Sequence, residues 1–520
     1  MVMKRLPLAD LALAALVVVL AYVSPHFIPY NMDEFSHYHV LGCKHAPLSD
    51  LHDRFANGCD MYDLKPPGLS TYLPLRSYLY IGVAQTVPFL PFWAAFDDPV
   101  AGRVQGALYL LLATFLIARL VDASWRVTLF AMLLFPSFCA PFILDTGPVG
   151  VSLCSYLGLL LLIRKGVTSE TARSKIWTGI AIGLLAFFAA SIKLVFVWVI
   201  PTLPLWALWV MRPQDSRQWP ATLLRQLPLI FAAGITFVLP TVWLLAALDR
   251  QGVPFFAVSA TSKIVLTAGN LYAQAYRLGK PIWNSTFFDL RTMMLPGNRE
   301  FDALPLLIGL AVIAFGLWLK RGADRLQVLL LLAFAGLTFA FIMTNANAWA
   351  PHHSVYAMVL IAAAIASCAE TLKQRKALLV AAIALSSLYW VSLAVRLPQA
   401  TIQADTGFDK DELTRFLRTS HLDASTVQVH VDWGTYYLSH TFGDSRQLAL
   451  TVYGWDTQPS EQRQADLSKI RHIASDLHRD ILLITRQTGD PRQDPDVVAV
   501  LGQPTGTYPF NTWMITRYGS

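Results

Sequence analysis

Long apolar runs, separated by short polar stretches, fill most of the chain from the N-terminus to about residue 400. A helix needs about 20 apolar residues to cross the hydrocarbon layer of a membrane. Runs near that length occur at residues 7–24, 101–121, 124–143, 148–164, 176–192, 194–211, 226–247, 302–319, 326–344, 353–371 and 377–396. The pattern predicts a polytopic α-helical membrane protein with about eleven transmembrane helices. A further apolar stretch, residues 69–96, is interrupted by Pro74, Pro88 and Pro91 and predicts helices lying along the membrane interface.

The tail from residue 397 onward has a different pattern and predicts a separate soluble α/β domain. Helical spacing occurs at residues 410–418 and 460–480, and strand-like stretches occur at residues 427–431, 448–452, 481–485 and 513–517. Asp432, Trp433 and Gly434 follow the first of these strands. They indicate either a ligand-binding edge of the sheet or a turn that needs glycine.

Composition supports a membrane protein, because 55% of the residues are hydrophobic and only 14% are charged. Soluble domains carry about 25% charged residues. If the N-terminus is cytoplasmic, every short inner loop is basic, as the positive-inside rule requires. These loops and the adjoining helix ends contain Lys4, Arg5, Arg119, Arg126, Arg164, Lys165, Arg173, Lys175, Arg212, Arg217, Arg225, Lys320, Arg321, Arg325, Lys373, Arg375 and Lys376. The net charge of +7 therefore reflects topology, and we expect no nucleic-acid partner.

This orientation predicts a multi-pass protein of the bacterial inner (plasma) membrane with a cytoplasmic N-terminus. Its predicted domains are a transmembrane domain (1–396) with outer loops 25–100 and 248–301, and a periplasmic α/β domain (397–520). The first apolar run could instead be a signal peptide, but no convincing cleavage site follows it, and we interpret it as a retained anchor. Cys43 and Cys59 share the first outer loop, where they are either bridged or two free buried side chains.

Two polar clusters in the first outer loop are the main candidates for chemistry. Asp33 and Glu34 lie just beyond the first apolar run, where poor solvation makes a carboxylate a better base, although acidic residues also begin helices. Lys65 precedes Pro66 and Pro67, which fix the local backbone and would present the ammonium group to a phosphate. Its alternative role is to reach the interface from a membrane helix end.

These clusters, in this order, resemble the GT-C membrane glycosyltransferases, which use polyprenyl-phosphate-linked sugars. The resemblance is greatest to the branch that contains protein O-mannosyltransferases and lipid A aminoarabinose transferases. It spans residues 5–400 and continues through three short motifs. These motifs are Ala101-Gly102-Arg103, Leu144-Asp145 and Ser191-Ile192-Lys193.

The resemblance implies a role for each matching residue. Asp33 would be the base that activates the acceptor hydroxyl and Glu34 its support. Lys65 would bind the donor phosphate, and Asp145 would be a second outer acidic position. The other candidate substrate-binding residues are Arg103, Lys193, Lys263, Arg277, Lys280, His352, His353 and Tyr356. The histidine pair could instead cap a helix, and solvated surface charge explains any one of Lys263, Arg277 and Lys280 equally.

The implied activity is sugar transfer from a polyprenyl phosphate to an acceptor hydroxyl, by direct displacement with inversion. The expected partners are that donor, a lipid, glycan or protein acceptor, and membrane lipids. We expect no cofactor; a divalent metal held by Asp33, His37 and His39 is the alternative. The competing classes are a lipid or glycan transporter (flippase) and a non-catalytic envelope assembly protein.

Overall fold

The computed structural model describes residues 8–26, 28, 30, 34, 38, 41, 63–64, 73–74, 76–78, 81–82, 84–144, 148–192, 196, 199–212, 216–250, 265–283, 293–294, 303–344, 354–396, 401–402, 409–420, 422, 426–443, 448–452, 455–487 and 494–519. By contacts the chain divides into two compact units. The first, Met1–Phe27 with Arg103–Thr401, is the helical unit; the second, Ile28–Gly102 with Ile402–Ser520, is the sheet unit. The first outer loop thus belongs to the same unit as the tail, whereas the predicted domain boundary at residue 397 stays a prediction.

Helices account for most of the described residues. In chain order they are α1 (Leu8–Val23), α2 (Thr86–Phe96), α3 (Val100–Val121), α4 (Trp125–Leu134), α5 (Pro136–Ile143), α6 (Val149–Thr168), α7 (Ala172–Ile192), α8 (Thr202–Met211), α9 (Trp219–Arg250), α10 (Ala268–Trp283), α11 (Leu304–Leu319), α12 (Gly322–Met343), α13 (Val355–Leu372), α14 (Lys376–Arg396), α15 (Asp409–Thr419), α16 (Trp433–Phe442), α17 (Ser460–Asp476) and α18 (Pro495–Leu501).

The helical unit confirms a polytopic helical membrane protein. Among the described residues, seven helical segments are long and apolar enough to cross a membrane, and four apolar helices are shorter. Two predicted spans differ in detail. The span 124–143 is divided into α4 and α5, because Pro136 favours an extended backbone at Phe135. In the span 194–211, α8 begins at Thr202, directly after Pro201.

The apolar stretch 69–96 is only partly helical. Short strands occupy Leu73–Pro74, Arg76–Tyr78 and Ile81–Gly82, and α2 is the one helix among the residues of this stretch that the structure describes. Thus the prediction of helices is wrong for these strands and correct for α2. The 11 residues of α2 rise about 16 Å at 1.5 Å per residue, which is too short for a crossing.

The strands, in chain order, are β1 (Asp63–Leu64), β2 (Leu73–Pro74), β3 (Arg76–Tyr78), β4 (Ile81–Gly82), β5 (Met293–Met294), β6 (Thr401–Ile402), β7 (Thr426–His430), β8 (Leu448–Thr451), β9 (Asp480–Arg486), β10 (Gly506–Phe510) and β11 (Trp513–Tyr518). The largest sheet has the order β10-β11-β9-β7-β8. Strands β7, β8 and β9 are parallel, while β11 and β10 pair antiparallel at one edge. This arrangement confirms the predicted C-terminal α/β domain.

Both faces of the sheet are buried, because successive side chains point to opposite faces and pack there against helices. Val427 and Ile481 pack on one face with apolar residues of α17 and α18. Leu482 and Ile484 pack on the other face with Leu413 of α15. A strand buried on both faces can be apolar over several successive positions, as β9 is at residues 481–484, whereas β7 is recognisable from its alternation of valine with polar residues. The sequence did not predict α16, because it is rich in Thr, Tyr and Phe, which favour strands.

Glycines allow the membrane helices to approach one another closely. A Cβ atom at Gly150 of α6 would lie 2.8 Å from the Tyr109 ring of α3. At Gly179 of α7, a Cβ would lie 2.5 Å from the Leu229 carbonyl oxygen of α9. Because real Cβ atoms do not approach other atoms this closely, small residues at these positions determine how near the helices can pack.

Candidate functional site

Five helices of the helical unit bring polar side chains to one end of the bundle. At this end α1 finishes and α3, α6, α8 and α13 begin; we call it the site end. The opposite end, where α6 finishes and α7 begins, is called the basic end. Of the residues predicted from the sequence, Arg103 and Tyr356 lie at the site end.

Arg103 lies in the first turn of α3 and is fully buried. Its guanidinium donates a hydrogen bond of 3.1 Å to the hydroxyl of Ser24, directly after α1. A buried charged group is stable only where polar groups surround it. The Arg103 guanidinium therefore requires polar groups around it at the membrane boundary. The contact also fixes the beginning of α3 next to the end of α1.

The packing of α3 brings the end of α5 close to this point. Gly106, one turn after Arg103, approaches the backbone of Phe142 in α5 so closely that a Cβ would overlap the Phe142 carbonyl oxygen. Leu144 follows α5, is buried and directly precedes Asp145 in the sequence. Leu144, the residue before Asp145, therefore lies at the site end, as does Arg103.

Tyr356 belongs to a cluster of buried aromatic and hydroxyl side chains. Its hydroxyl is hydrogen-bonded to that of Ser152, which links α13 to α6. One turn further along α6, the Tyr156 hydroxyl is 3.0 Å from that of Thr202 in α8. The rings of Tyr156 and Phe196 pack edge-on against Tyr356, with centroids 5.9 and 6.1 Å from it. Hydroxyl groups of α6, α8 and α13 are thus buried and hydrogen-bonded to one another between the helices; such polar groups hold membrane helices together and are also candidates for function.

Glu34 is the described member of the acidic pair, and it lies in the sheet unit. It is buried, with 3% of its surface exposed. Tyr30 and Tyr38 on either side pack into an apolar cluster with Phe89 of α2 and Tyr436 of α16, and the Tyr38 and Phe89 rings stack with centroids 3.9 Å apart. Tyr30 and Tyr38, on either side of Glu34 in the sequence, are therefore both anchored by packing in the sheet unit.

Arg277 and Lys280 lie three residues apart on α10, so their backbone positions share one face of that helix. The sequence did not predict this helix in the second outer loop. The other predicted site residues lie outside the described residues: Asp33, Lys65, Asp145, Lys193, Lys263, His352 and His353. Cys43, Cys59, His37 and His39 also lie outside, so the disulfide and the metal alternative stay predictions. Among the described side chains, no three His, Cys, Asp or Glu residues form a potential metal site.

Asp432, two residues after the end of β7, has a structural role in the sheet unit. Its carboxylate caps α16 by accepting from the Thr435 backbone N–H at 3.0 Å. It also lies 3.3 Å from the buried ammonium of Lys410 and 3.5 Å from Arg486. The stretch predicted as a ligand edge or a turn is thus a helix start, and these ion pairs account for its charge.

His430, at the end of β7, is fully buried between hydrogen-bonding partners. Its two ring nitrogens lie 3.1 Å from the Thr435 hydroxyl and 3.2 Å from the Gln428 amide oxygen. Burial lowers the pKa of His430 from 6.5 to about 3, and the nearby Asp432 carboxylate opposes this shift. The imidazole is therefore neutral in the folded protein at neutral and mildly acidic pH.

We expect the sheet unit to lose stability as the pH falls below 6.5, the ordinary pKa of His430, towards about 3, its pKa in the folded state. Between these two pH values the unfolded chain binds a proton that the folded chain excludes. The free energy of unfolding therefore falls, by an amount that approaches about 1.4 kcal/mol per pH unit. Thermal unfolding of the full chain at pH 7 and pH 5, compared with His430→Gln, measures this contribution. An equal acid shift in both proteins would contradict the assignment.

Sequence reasoning did not identify Ser24, Ser152, Tyr156 or Thr202. Ser152 and Tyr156 are separated by four residues and therefore share a face of α6. Polar residues at helical spacing inside an apolar run were the signal that could have revealed this face. Their partners on α8 and α13 depend on helix packing, which spacing along one chain does not show.

The fold and these polar contacts define a class: a polytopic helical membrane protein with buried polar groups at one end of its bundle and a mixed α/β sheet unit. Comparison with solved structures narrows this class. The chain is similar to ArnT from Cupriavidus metallidurans bound to undecaprenyl phosphate, with a TM-score of 0.56 and 11% identity, over 98% of each chain. This likeness shows that the two chains share a fold, in agreement with the fold that the sequence resemblance implied.

Two further structures are less similar. The same ArnT in the apo state gives a TM-score of 0.36 at 11% identity, again over 98% of each chain. An oligosaccharyltransferase of Archaeoglobus fulgidus in complex with zinc and sulfate gives 0.41 at 13% identity, over 91% of this chain and 67% of that one. Because their TM-scores are below 0.5, these two structures do not support a conclusion about the fold. No protein-family model and no curated protein matches the chain.

Proposed function

We propose that this chain transfers a sugar from a polyprenyl-phosphate donor to the hydroxyl of a lipid, glycan or protein acceptor. The observation that carries the proposal is the end-to-end likeness to an ArnT bound to undecaprenyl phosphate. The order of the motifs along the sequence also supports the proposal. That order alone predicted the fold, without any use of the structure. A protein that takes such a lipid needs a membrane bundle with polar groups at one end, and the site end has this character.

In the proposed reaction, the acceptor oxygen attacks the anomeric carbon and the bond from that carbon to the phosphate oxygen breaks. Asp33 takes the proton of the attacking hydroxyl, with Glu34 beside it. The bond electrons leave with the polyprenyl phosphate, and attack opposite the departing group inverts the anomeric centre. Because the donor is already activated by its phosphate, the reaction needs no further energy source.

Cationic groups would stabilise the charge that develops on the departing phosphate. Lys65 is the first candidate, because Pro66 and Pro67 restrict the backbone next to it. Arg103 is the second, since it is buried at the site end and oriented by Ser24. Such charge-assisted hydrogen bonds to an anion are stronger in a poorly solvated site than in water. Lys193, Lys263, Arg277, Lys280, His352, His353 and Tyr356 are proposed as further donor contacts.

We further propose that the basic end faces the cytoplasm of a bacterial cell and the site end the periplasm. Arg164 and Arg126 lie at the basic end, where they pair with Asp122 and Asp10. Basic residues in short loops favour the cytoplasmic side of a membrane. In this orientation the donor would be used at the outer face, and the acceptor would be a component of the cell envelope.

Replacing Lys65 with Ala should raise the apparent KM for the polyprenyl-phosphate sugar by about 10- to 100-fold, with little change in the KM for the acceptor. A hydrogen bond to a charged group contributes about 1.5–3 kcal/mol. Steady-state titration of each substrate, with the purified chain in lipid nanodiscs, measures the two effects separately. Lys44→Ala, which removes another lysine from the same loop, is the matched control. An unchanged donor KM, or an equal rise for the acceptor, would overturn the phosphate role of Lys65.

A further inference from the structure

A cavity of about 420 Å³ lies at the basic end, between the end of α6 and the start of α7. Small-ligand sites generally have volumes of about 300–1,000 Å³. Its lining residues are Leu162, Lys165, Thr171, Arg173, Ser174, Trp177, Thr178 and Ala181. The cavity is at the opposite end of the bundle from the polar groups of the proposed transfer site, so it cannot belong to that site.

The charge of this cavity is positive. Lys165 in the last turn of α6 and Arg173 in the first turn of α7 both line it, and neither forms an ion pair within the described part of the chain. The neighbouring cations are already engaged: Arg164 pairs with Asp122, and Lys175 donates to the Arg225 carbonyl oxygen at 2.8 Å. Lys165 and Arg173 therefore remain available for an anion.

Polar groups between the two cations can receive the same anion. Thr171 precedes α7, and its hydroxyl accepts from the Ser174 backbone N–H at 3.2 Å. The side chain of Ser174 lines the cavity, and the beginning of the 21-residue helix α7 carries the positive end of the helix dipole. Glu170, the acidic residue in this connection, is exposed and does not line the cavity.

The wall of the cavity changes from polar to apolar along α7. Thr178 and Ala181 follow Ser174 at helical spacing, and Leu162 of α6 faces them. Trp177 also lines the cavity and is 63% exposed, beside Ile176, which is 42% exposed. Trp side chains concentrate at the boundary between lipid and water, where an apolar ring and a polar N–H are both satisfied. The cavity therefore offers a cationic mouth with an apolar extension at the membrane boundary.

Close packing on the neighbouring face fixes the position of α7. Gly179 and Gly183 of α7 lie against the backbone of α9, where any larger residue would overlap it. Helix α9 thus holds α7 from a side that does not line the cavity. On its other side, α7 packs on α6, where Gly166 lies against the Thr178 side chain, so the wall of the cavity is fixed from two directions.

We propose that this cavity binds the headgroup of an anionic phospholipid, with its phosphate between Lys165 and Arg173. The glycerol and the first acyl carbons would lie along Leu162, Trp177 and Ala181. Basic pockets between membrane helices near the cytoplasmic surface are suited to such headgroups. A free phosphate ion would contact the two cations but not the apolar extension. This difference allows binding of a lipid headgroup to be distinguished from binding of free phosphate.

The test is native mass spectrometry of the delipidated full chain, titrated with phosphatidylglycerol or phosphatidylcholine. We expect phosphatidylglycerol to bind more tightly. The K165Q/R173Q variant should weaken its binding about 25-fold, because each basic residue near an anionic lipid surface contributes about fivefold. The matched control is R321Q/R325Q, which removes two charges from the basic end away from the cavity and should change affinity less than twofold. The charge-preserving K165R/R173K variant should retain most of the affinity, which separates loss of charge from misfolding.

Three results would overturn the proposal. The first is equal affinity for the two lipids, and the second is an equal loss in the K165Q/R173Q and R321Q/R325Q variants. The third is displacement of phosphatidylglycerol by millimolar inorganic phosphate, which would identify a free-anion site instead. None of these measurements involves sugar transfer, so they do not depend on the proposed function.

Discussion

Replacing Asp33 with Asn should lower sugar transfer by about 10²–10⁴-fold, the range that a general base contributes. Asn has nearly the same size as Asp but cannot accept the proton of the attacking hydroxyl. Tyr30 and Tyr38 should keep their positions, because both are anchored in an apolar cluster of the sheet unit. We therefore expect a folded protein that binds donor and scarcely turns over.

The measurement is kcat for the purified Asp33→Asn chain in nanodiscs, with thermal unfolding to confirm folding. Asp53→Asn, a carboxylate from the same loop, is the matched control and should keep near wild-type turnover. Glu34→Gln should cause a smaller loss than Asp33→Asn, because Glu34 is assigned a supporting role. Wild-type turnover in the Asp33→Asn chain would remove Asp33 from the mechanism.

Gly106→Ala is expected to cause the largest structural effect of a single methyl group. A Cβ at this position would overlap the Phe142 carbonyl oxygen. A backbone atom cannot turn aside as a flexible side chain can, so α3 and α5 must separate. Overpacking costs about 1–3 kcal/mol, and here it also displaces the site end, because Arg103 is one turn away. We expect lower thermal stability together with reduced donor use.

Gly234→Ala provides the control for this prediction. Gly234 lies within α9, and a Cβ there would meet no atom within 4 Å. Alanine is favoured over glycine inside a helix by roughly 0.5–1 kcal/mol, so this variant should be as stable as the parent or slightly more stable. Thermal unfolding of both variants in the same detergent compares them. Equal stability of the two would show that the contact between Gly106 and Phe142 is not a constraint.

Hydrophobic patterning predicted most of the fold. The apolar runs identify the membrane helices because a bilayer requires a long, continuous apolar segment, which is a strong local signal. Strand β9 was recognisable for a similar reason, since its residues 481–484 form an apolar run, whereas β7 was recognisable from the alternation of Val427 and Val429 with polar residues. The interruption at Phe135 was less visible, although Pro136 marked it. Helix α16 was missed because tertiary packing overrides the strand preference of its Thr and Tyr residues.

The candidate site could be predicted only in part. Charged residues near membrane boundaries, such as Arg103 and Glu34, are unusual enough to be noticed in the sequence. By contrast, Ser24 became a candidate only when its hydrogen bond to Arg103 was seen. Contacts between residues about 80 or 200 positions apart, such as Arg103 with Ser24 or Ser152 with Tyr356, depend on how the helices pack. No spacing rule within one helix contains that information.

The proposed transfer reaction is tested most directly by incubating the purified chain with isotopically labelled polyprenyl-phosphate sugars and envelope lipid, glycan and protein acceptors. The predicted result is release of free polyprenyl phosphate, with the sugar joined to an acceptor hydroxyl in the inverted anomeric configuration. Intact donor in the presence of every acceptor class, with protein shown to be folded, would contradict the proposed function, and retained configuration would contradict direct displacement.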